Sequence, residues 1–359
     1  MRISGSAVWD DPSKPPEEIA FLYHGVALDE VGIPGDAFAA VVLLPAMAAG
    51  EDVVIDAPVS PKLVAGAWDV AGVWSSWRPG WRRSRIEAPT AHACAPSRGG
   101  TAASFSGGVD SFFTAVRRKP DVLITLRAGF AGADVLSGWD FDREMLELAH
   151  VAEELGARHV VVESNAIDFG RPLIGFQHFG AVLAAMAHGI GNSIRRLYVP
   201  GTWSHRHKRP WGAHPDVDHL WSSESLEVAH DGAEFERHEK IAQMADNQLV
   251  LDWLRVCYVR PPGANNCGRC DKCLTTKLGL LLAGKLDQCP TLGPLTPRIV
   301  RRALILPPSI EDFEMLRELI DDLELKSAIT RALRLSAVRR RLPPVRKWMR
   351  RATATASRR

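Results

Sequence analysis

Thr101–Arg118 reads TAASFSGGVDSFFTAVRR, and it sets the architecture expected for the rest of the 359-residue chain. Thr101–Phe105 is a short apolar run suited to a buried strand. Asp110–Arg118 has helical spacing. Between them lies the turn Ser106-Gly107-Gly108-Val109-Asp110-Ser111. Two glycines let a backbone approach a polyanion and enter left-handed conformations. The helix behind them offers unpaired N–H groups and a positive dipole end. Ser106 and Ser111 add hydroxyls. Asp110 would repel phosphates unless Mg²⁺ lay between them, so the ligand implied is a Mg-nucleotide. No Lys follows the glycines as in a Walker A loop, and no G-x-G-x-x-G is present. An ordinary P-loop NTPase and a dinucleotide fingerprint are therefore excluded. A turn that binds nothing is the plainer alternative, and the strand before and helix after favour phosphate over it.

Outward from this turn, strand and helix alternate. Asp121–Leu126, Arg158–Glu163 and Arg196–Pro200 read as strands. Phe141–Leu155 and the Ala-rich Gly175–Gly189 read as helices. Such alternation predicts an α/β fold, a doubly wound parallel sheet with ligands at the carboxyl ends of its strands. Upstream, Phe21–Leu28 and Asp52–Ile55 read as strands, and Gly35–Ala49 and Pro61–Trp77 as helices. They predict an N-terminal α+β accessory domain over residues 1–95. Pro89–Thr101 has a linker's composition, and Cys94 within it is read as a thiol without function. The sheet domain is expected over 101–290 and a helical extension over 291–329.

Cys257, Cys267, Cys270 and Cys273 are spaced C-x9-C-x2-C-x2-C. Gly268 supplies a tight turn between sulfurs. Four thiolates suit a closed tetrahedral Zn²⁺ site that braces the fold, with the last ligand opening a helix, Asp271–Leu282, and anchoring it to a strand carrying Cys257. Two readings compete. The x2-x2 spacing also begins an iron–sulfur run, with Cys289-Pro290 echoing its end, although Lys277 stands where the fourth Cys belongs. A redox C-x-x-C is the other, disfavoured because four cysteines converge rather than two.

The turn S-G-G-x-D-S resembles the pyrophosphate loop of the N-type ATP pyrophosphatases. The C…C-G-x-C-x-x-C arrangement downstream resembles the zinc site of the 7-cyano-7-deazaguanine synthases within that superfamily. The likeness covers about residues 101–284. It implies an adenine nucleotide alpha hydrolase-like sheet and an ATP-dependent, AMP- and pyrophosphate-forming ligase. Such an enzyme adenylates a carboxylate or carbonyl oxygen of a small molecule, with ammonia as nucleophile. By the resemblance Ser106, Gly107, Gly108, Val109 and Ser111 hold phosphates and Asp110 sits at Mg²⁺. Relatives also place a Lys on the helix before the first zinc cysteine; Arg237 or Lys240, on a helix expected over 237–246, stands for it here. A thiolase acting on RNA or a small molecule, and a zinc-containing nucleotide- or RNA-binding protein without turnover, are the alternatives.

Residues 201–238 hold Trp203, Trp211, Trp221 and six histidines. A loop this long in a compact domain is usually functional. Its Trp faces could stack a planar acceptor, with Arg206, Lys208 or Arg209 meeting anionic groups; equally, its rings could fill gaps. His205-x-His207 suggests a second metal site only weakly, because no further ligand follows at suitable spacing. Asn165, after the third strand, is a candidate for contact with the nucleotide.

The 44 basic and 42 acidic residues give a net charge of +2. Eleven of the basic and none of the acidic residues lie in 330–359, so residues 1–329 carry −9. The expected body is acidic and must hold ATP by local N–H groups, Mg²⁺ and a few bases. Its basic tail, with an amphipathic helix over Ser327–Leu342, could contact RNA. At 46% hydrophobic and 24% charged, the composition excludes a mostly disordered chain. No apolar run approaches the ~20 residues of a membrane helix, and Met1–Ile3 does not begin a signal peptide. The expected setting is cytoplasmic. The expected partners are a small-molecule acceptor and, in a homodimer, a second copy.

Overall fold

β-Branched runs such as Val160-Val161-Val162 form the centre of a seven-stranded sheet in the computed structural model. The structure describes residues 1–91, 99–128, 140–175, 177–257, 259, 261 and 263–339. Nine strands are present among them: β1 (Arg2–Ala7), β2 (Glu17–His24), β3 (Val53–Val54), β4 (Ile86–Glu87), β5 (Gly100–Ser104), β6 (Val122–Ala128), β7 (Arg158–Ser164), β8 (Ile194–Pro200) and β9 (Glu227–Asp231). The large sheet runs β1-β2-β7-β6-β5-β8-β9, and β3 pairs with β4 apart from it. From β7 to β9 all neighbours are parallel, while β1 and β2 add an antiparallel edge.

The described residues also form twelve α-helices: α1 (Pro34–Ala49), α2 (Pro61–Trp77), α3 (Val109–Arg118), α4 (Phe141–Glu154), α5 (Arg171–Ile174), α6 (Phe179–His188), α7 (Arg237–Met244), α8 (Gln248–Trp253), α9 (Asp271–Leu282), α10 (Pro297–Arg302), α11 (Ile310–Leu319) and α12 (Leu323–Arg339). Period-two alternation divides the strand side chains between two cores. Ala102, Ile124, Val160, Val162 and Leu197 pack with α1, α2 and α6. Ala103 and Leu123 face the other way, toward α3, α4, α7, α8 and α9. Strands covered on both sides read as continuous apolar runs, which is why they were legible. A third cluster joins Leu274 and Leu278 of α9 to α10, α11 and α12.

The chain crosses from β5 to β6 to β7 on one side, then returns to place β8 and β9 on the other side of β5. The order therefore reverses between β5 and β8. Ligands of open α/β sheets bind outside the strand ends at such a reversal. The loop after β5 stands there.

Several expectations change. Residues 1–91 are not set apart: β2 pairs with β7, and α1 shares a core with α6, so the expected boundary near 95 divides no core. The second strand is Glu17–His24 rather than 21–28. The helix expected over Gly175–Gly189 is α6, which starts only at Phe179; Gly175, at φ +61°, instead ends the short α5 before it. The Trp/His segment contains β9, a polar edge strand (EVAHD) without the apolar run of the central ones. The tail does not separate at Thr330. α12 runs to Arg339, with Ala332 and Ser336 fully buried, and the Ser336 hydroxyl accepts from the Ile305 N–H at 2.8 Å. Cys94 and residues 340–359 lie outside the described residues.

Among the described residues no helix is long and apolar enough to cross a membrane.

Candidate functional site: a glycine turn beside a four-cysteine knuckle

Gly107 takes φ +70°, the left-handed region that glycine enters without steric cost. Gly108 is extended and caps α3. The Ser111 hydroxyl accepts from the Ser106 N–H at 3.2 Å and donates to the Gly108 carbonyl at 3.1 Å, closing the turn on itself. A buried carboxylate fixes α3 from behind: Asp231, at the end of β9, accepts from the Thr114 hydroxyl at 2.8 Å and from Arg118 Nε at 2.6 Å. Asp231 thereby ties α3 to β9.

Asp110, Arg237 and Lys240 come together. Arg237 Nη1 lies 3.2 Å from Asp110 Oδ2, and Lys240 Nζ lies 3.4 Å from Oδ1. The Lys240 side chain is 1% exposed, and its ammonium also donates to the Gly201 carbonyl at 2.5 Å, at the end of β8. A buried ammonium survives only when paired and hydrogen-bonded, and both partners are present. One turn of α7 brings both Arg237 and Lys240 to Asp110.

Arg237 also packs in a tight crevice with His238, Thr275, Asp312 and Leu316. Burial pushes the Asp312 carboxyl up to about 6, with the charges of Asp110, Glu236 and Glu311 adding and Arg237 opposing. Glu236, beside Arg237 in sequence, borders a groove of about 670 Å³ with Arg206, His207, Glu311 and Met315.

The four cysteines also converge. Their sulfurs all lie within 4.8 Å of one another, with Cys270–Cys273 at 3.4 Å and Cys267–Cys273 at 3.9 Å. Backbone N–H groups of Cys267 and Cys270 point at the sulfurs of Cys257 and Cys267, both at 3.3 Å. The neighbouring Cys257 sulfur pushes Cys270 up to about 12. Four thiolates so close need a cation between them, and donors of this type and number could hold a metal such as zinc. Gly268, at φ +67°, makes the turn between ligands; a Cβ there would fall 2.7 Å from the Leu292 carbonyl oxygen. Cys289 is not in the cluster, so the echo of an iron–sulfur run has no fourth ligand there. Cys257 lies in a connecting segment rather than on a strand, and Cys270, not Cys273, caps α9.

Other candidates have structural employment. Asn165 accepts from the Ala20 N–H and donates to the Glu18 carbonyl, stitching β2 to the end of β7. Trp221 is core at 1% exposure, and Arg209 covers the Trp203 ring at 4.0 Å while pairing with Glu311. Of the three indoles only Trp211 is exposed. His207 pairs with Glu236 and His230 with Asp218, and His205-x-His207 joins no metal-binding group among the described residues.

The sequence reading missed Arg255, whose N–H donates to the Gly107 carbonyl at 2.8 Å. Its guanidinium meets Glu144 and Glu147 of α4. It also missed Asp312 and the Asn265-Asn266 pair. The one signal available was proximity in sequence, since each polar group lies within two residues of a ligand cysteine or on a helix that only the fold brings near.

No family model matches the chain, and no curated protein and no solved structure matches it.

Proposed function

We propose that the chain is an ATP-dependent ligase of the N-type ATP pyrophosphatase kind, forming AMP and pyrophosphate. The observation carrying this reading is the Ser106–Ser111 loop at the reversal of strand order, with Asp110 facing Arg237 and Lys240. The order of the five parallel strands, with β5 central, suits an adenine nucleotide alpha hydrolase-like sheet. The loop's N–H groups and the hydroxyls of Ser106 and Ser111 would hold the β- and γ-phosphates. Asp110 offers one carboxylate, the usual protein share for Mg²⁺ bound largely through phosphates. Arg237 and Lys240 would turn from Asp110 toward the departing pyrophosphate and neutralise it.

In the reaction, a carboxylate or carbonyl oxygen of a small acceptor attacks the α-phosphorus and pyrophosphate leaves. Ammonia then displaces AMP, leaving an amide when the acceptor is a carboxylate. The groove beside Glu236 would admit that acceptor. The cysteine knuckle is closed and would brace the fold rather than activate water.

The test is product analysis with Mg²⁺, ATP, ammonium and a panel of carboxylate and carbonyl acceptors. AMP and pyrophosphate should appear in equal amounts, and Asp110→Asn should abolish them. ADP and orthophosphate in their place would overturn the reading.

A further inference from the structure

The metal knuckle and the phosphate loop are joined by a short chain of hydrogen bonds. The Arg255 N–H donates to the Gly107 carbonyl at 2.8 Å. Arg255 stands two residues before Cys257. Its own segment is gripped from the other arm of the knuckle. Asn266, immediately before Cys267, accepts from the Val256 N–H at 2.9 Å and donates to the Leu254 carbonyl at 2.8 Å. Asn265 accepts from the Arg255 guanidinium at 3.3 Å. The two arms meet at sulfur, where the Cys267 N–H points at Cys257 Sγ. A metal bound by both cysteines would close this pair of arms.

Peptide planarity carries the effect into the loop. A trans peptide points its C=O and the next N–H in opposite directions. Anchoring the Gly107 carbonyl on Arg255 therefore aims the Gly108 N–H away from the knuckle. Gly107 at φ +70° is the residue most free to turn if that anchor slackens.

We infer that Arg255 is a positioning residue through which metal occupancy at the four cysteines sets the geometry of the phosphate loop. Asn266 is the latch between them. The link stands on the loop's geometry and not on ATP chemistry, so it goes beyond the function proposed above.

Amide hydrogen exchange on the full chain tests it. The probes are the amides of Ser106, Arg255 and Val256, with β6 and β7 as internal references. Stripping the metal with a chelator should speed exchange at the probes about tenfold, the loss of a hydrogen bond of ordinary strength. The references should not change, and adding Zn²⁺ back should restore protection. Asn266→Ala should loosen the same amides with metal still bound. Unchanged probes on metal removal would overturn the inference. So would loss of protection in β6 and β7 together with the probes, since the metal would then support the whole fold. Asn266→Ala with unchanged probes and full metal content would overturn it as well. If that variant does not fold, the metal-removal series on the natural chain decides. If the probes respond as expected but the loaded protein binds no ATP, the positioning role stands and the ATP reading fails.

Discussion

Gly107 and Gly108 are adjacent and chemically identical, yet replacing each by Ala should give different results. Both substitutions share one term, because Ala restricts the unfolded chain and stabilises by about 0.4–1 kcal/mol. At Gly107 the native φ of +70° costs an L-residue roughly 1–2 kcal/mol. The new Cβ would also sit 3.0 Å from Leu148 Cδ2, forcing a buried side chain partly off its rotamer for about 0.5–1.5 kcal/mol more. The net expectation is a loss of about 1–2 kcal/mol. At Gly108 the backbone is extended, and the nearest atoms to a new Cβ are Ser106 Oγ at 3.4 Å and the Arg255 carbonyl oxygen at 3.6 Å. These are ordinary contacts, and the poorer capping by Ala offsets the unfolded-state gain. Gly108→Ala should fall within about 0.5 kcal/mol of the parent. Guanidinium unfolding followed by Trp fluorescence measures both, with the shift read from the midpoint at constant slope. Equal losses at the two positions would refute the backbone geometry assigned to the loop, and with it the orientation of the Gly108 N–H.

Lys240→Met leaves the Gly201 carbonyl without its buried donor and Asp110 with Arg237 alone; it should cost about 1–3 kcal/mol, and less when Asp110→Asn is already present. Metal analysis should find one zinc per chain in the parent and in Cys289→Ser, and a loss of at least half in Cys273→Ser, because Cys273 belongs to the sulfur cluster and Cys289 does not. Asp312 is raised to about 6 from an ordinary value near 3.8, so between those pH values the folded state binds the extra proton and stability falls as pH rises. Stability curves of the parent and Asp312→Asn should therefore diverge in that window, the variant lacking this decline. Deleting Thr330–Arg359 removes buried Ala332 and the Ser336 hydroxyl from the third core and should destabilise by more than 2 kcal/mol in the same unfolding assay.

Much of this architecture was legible because its signals are local. The β-branched runs after Ser106 announced parallel strands, and S-G-G-x-D-S announced a tight turn between strand and helix. The four cysteines announced one another by spacing, and the structure brings their sulfurs together. Edge strands were not legible. RISGSA and EVAHD face neighbours on one side only and need no apolar run. Asn165 looked like a ligand contact because it ends a strand, but β2 takes up its amide, a partner 145 residues away. The charge count misled about the tail for a related reason. Arg331 and Arg334 face outward from a helix whose Ala332 and Ser336 are core, and net charge does not register which face is buried.

By itself the sequence determined the strand–loop–helix at Ser106–Ser111, the metal-ligand spacing and the alternation that makes a parallel sheet, since each is carried by patterns along the chain. Only the tertiary structure decided that the N-terminal strands extend the same sheet, that Arg237 and Lys240 both reach Asp110, and that Arg255 ties the cysteine knuckle to Gly107. Those contacts join residues up to 148 positions apart. They arise from strand order and helix docking, which bring the groups within hydrogen-bond reach and which no spacing along the chain encodes.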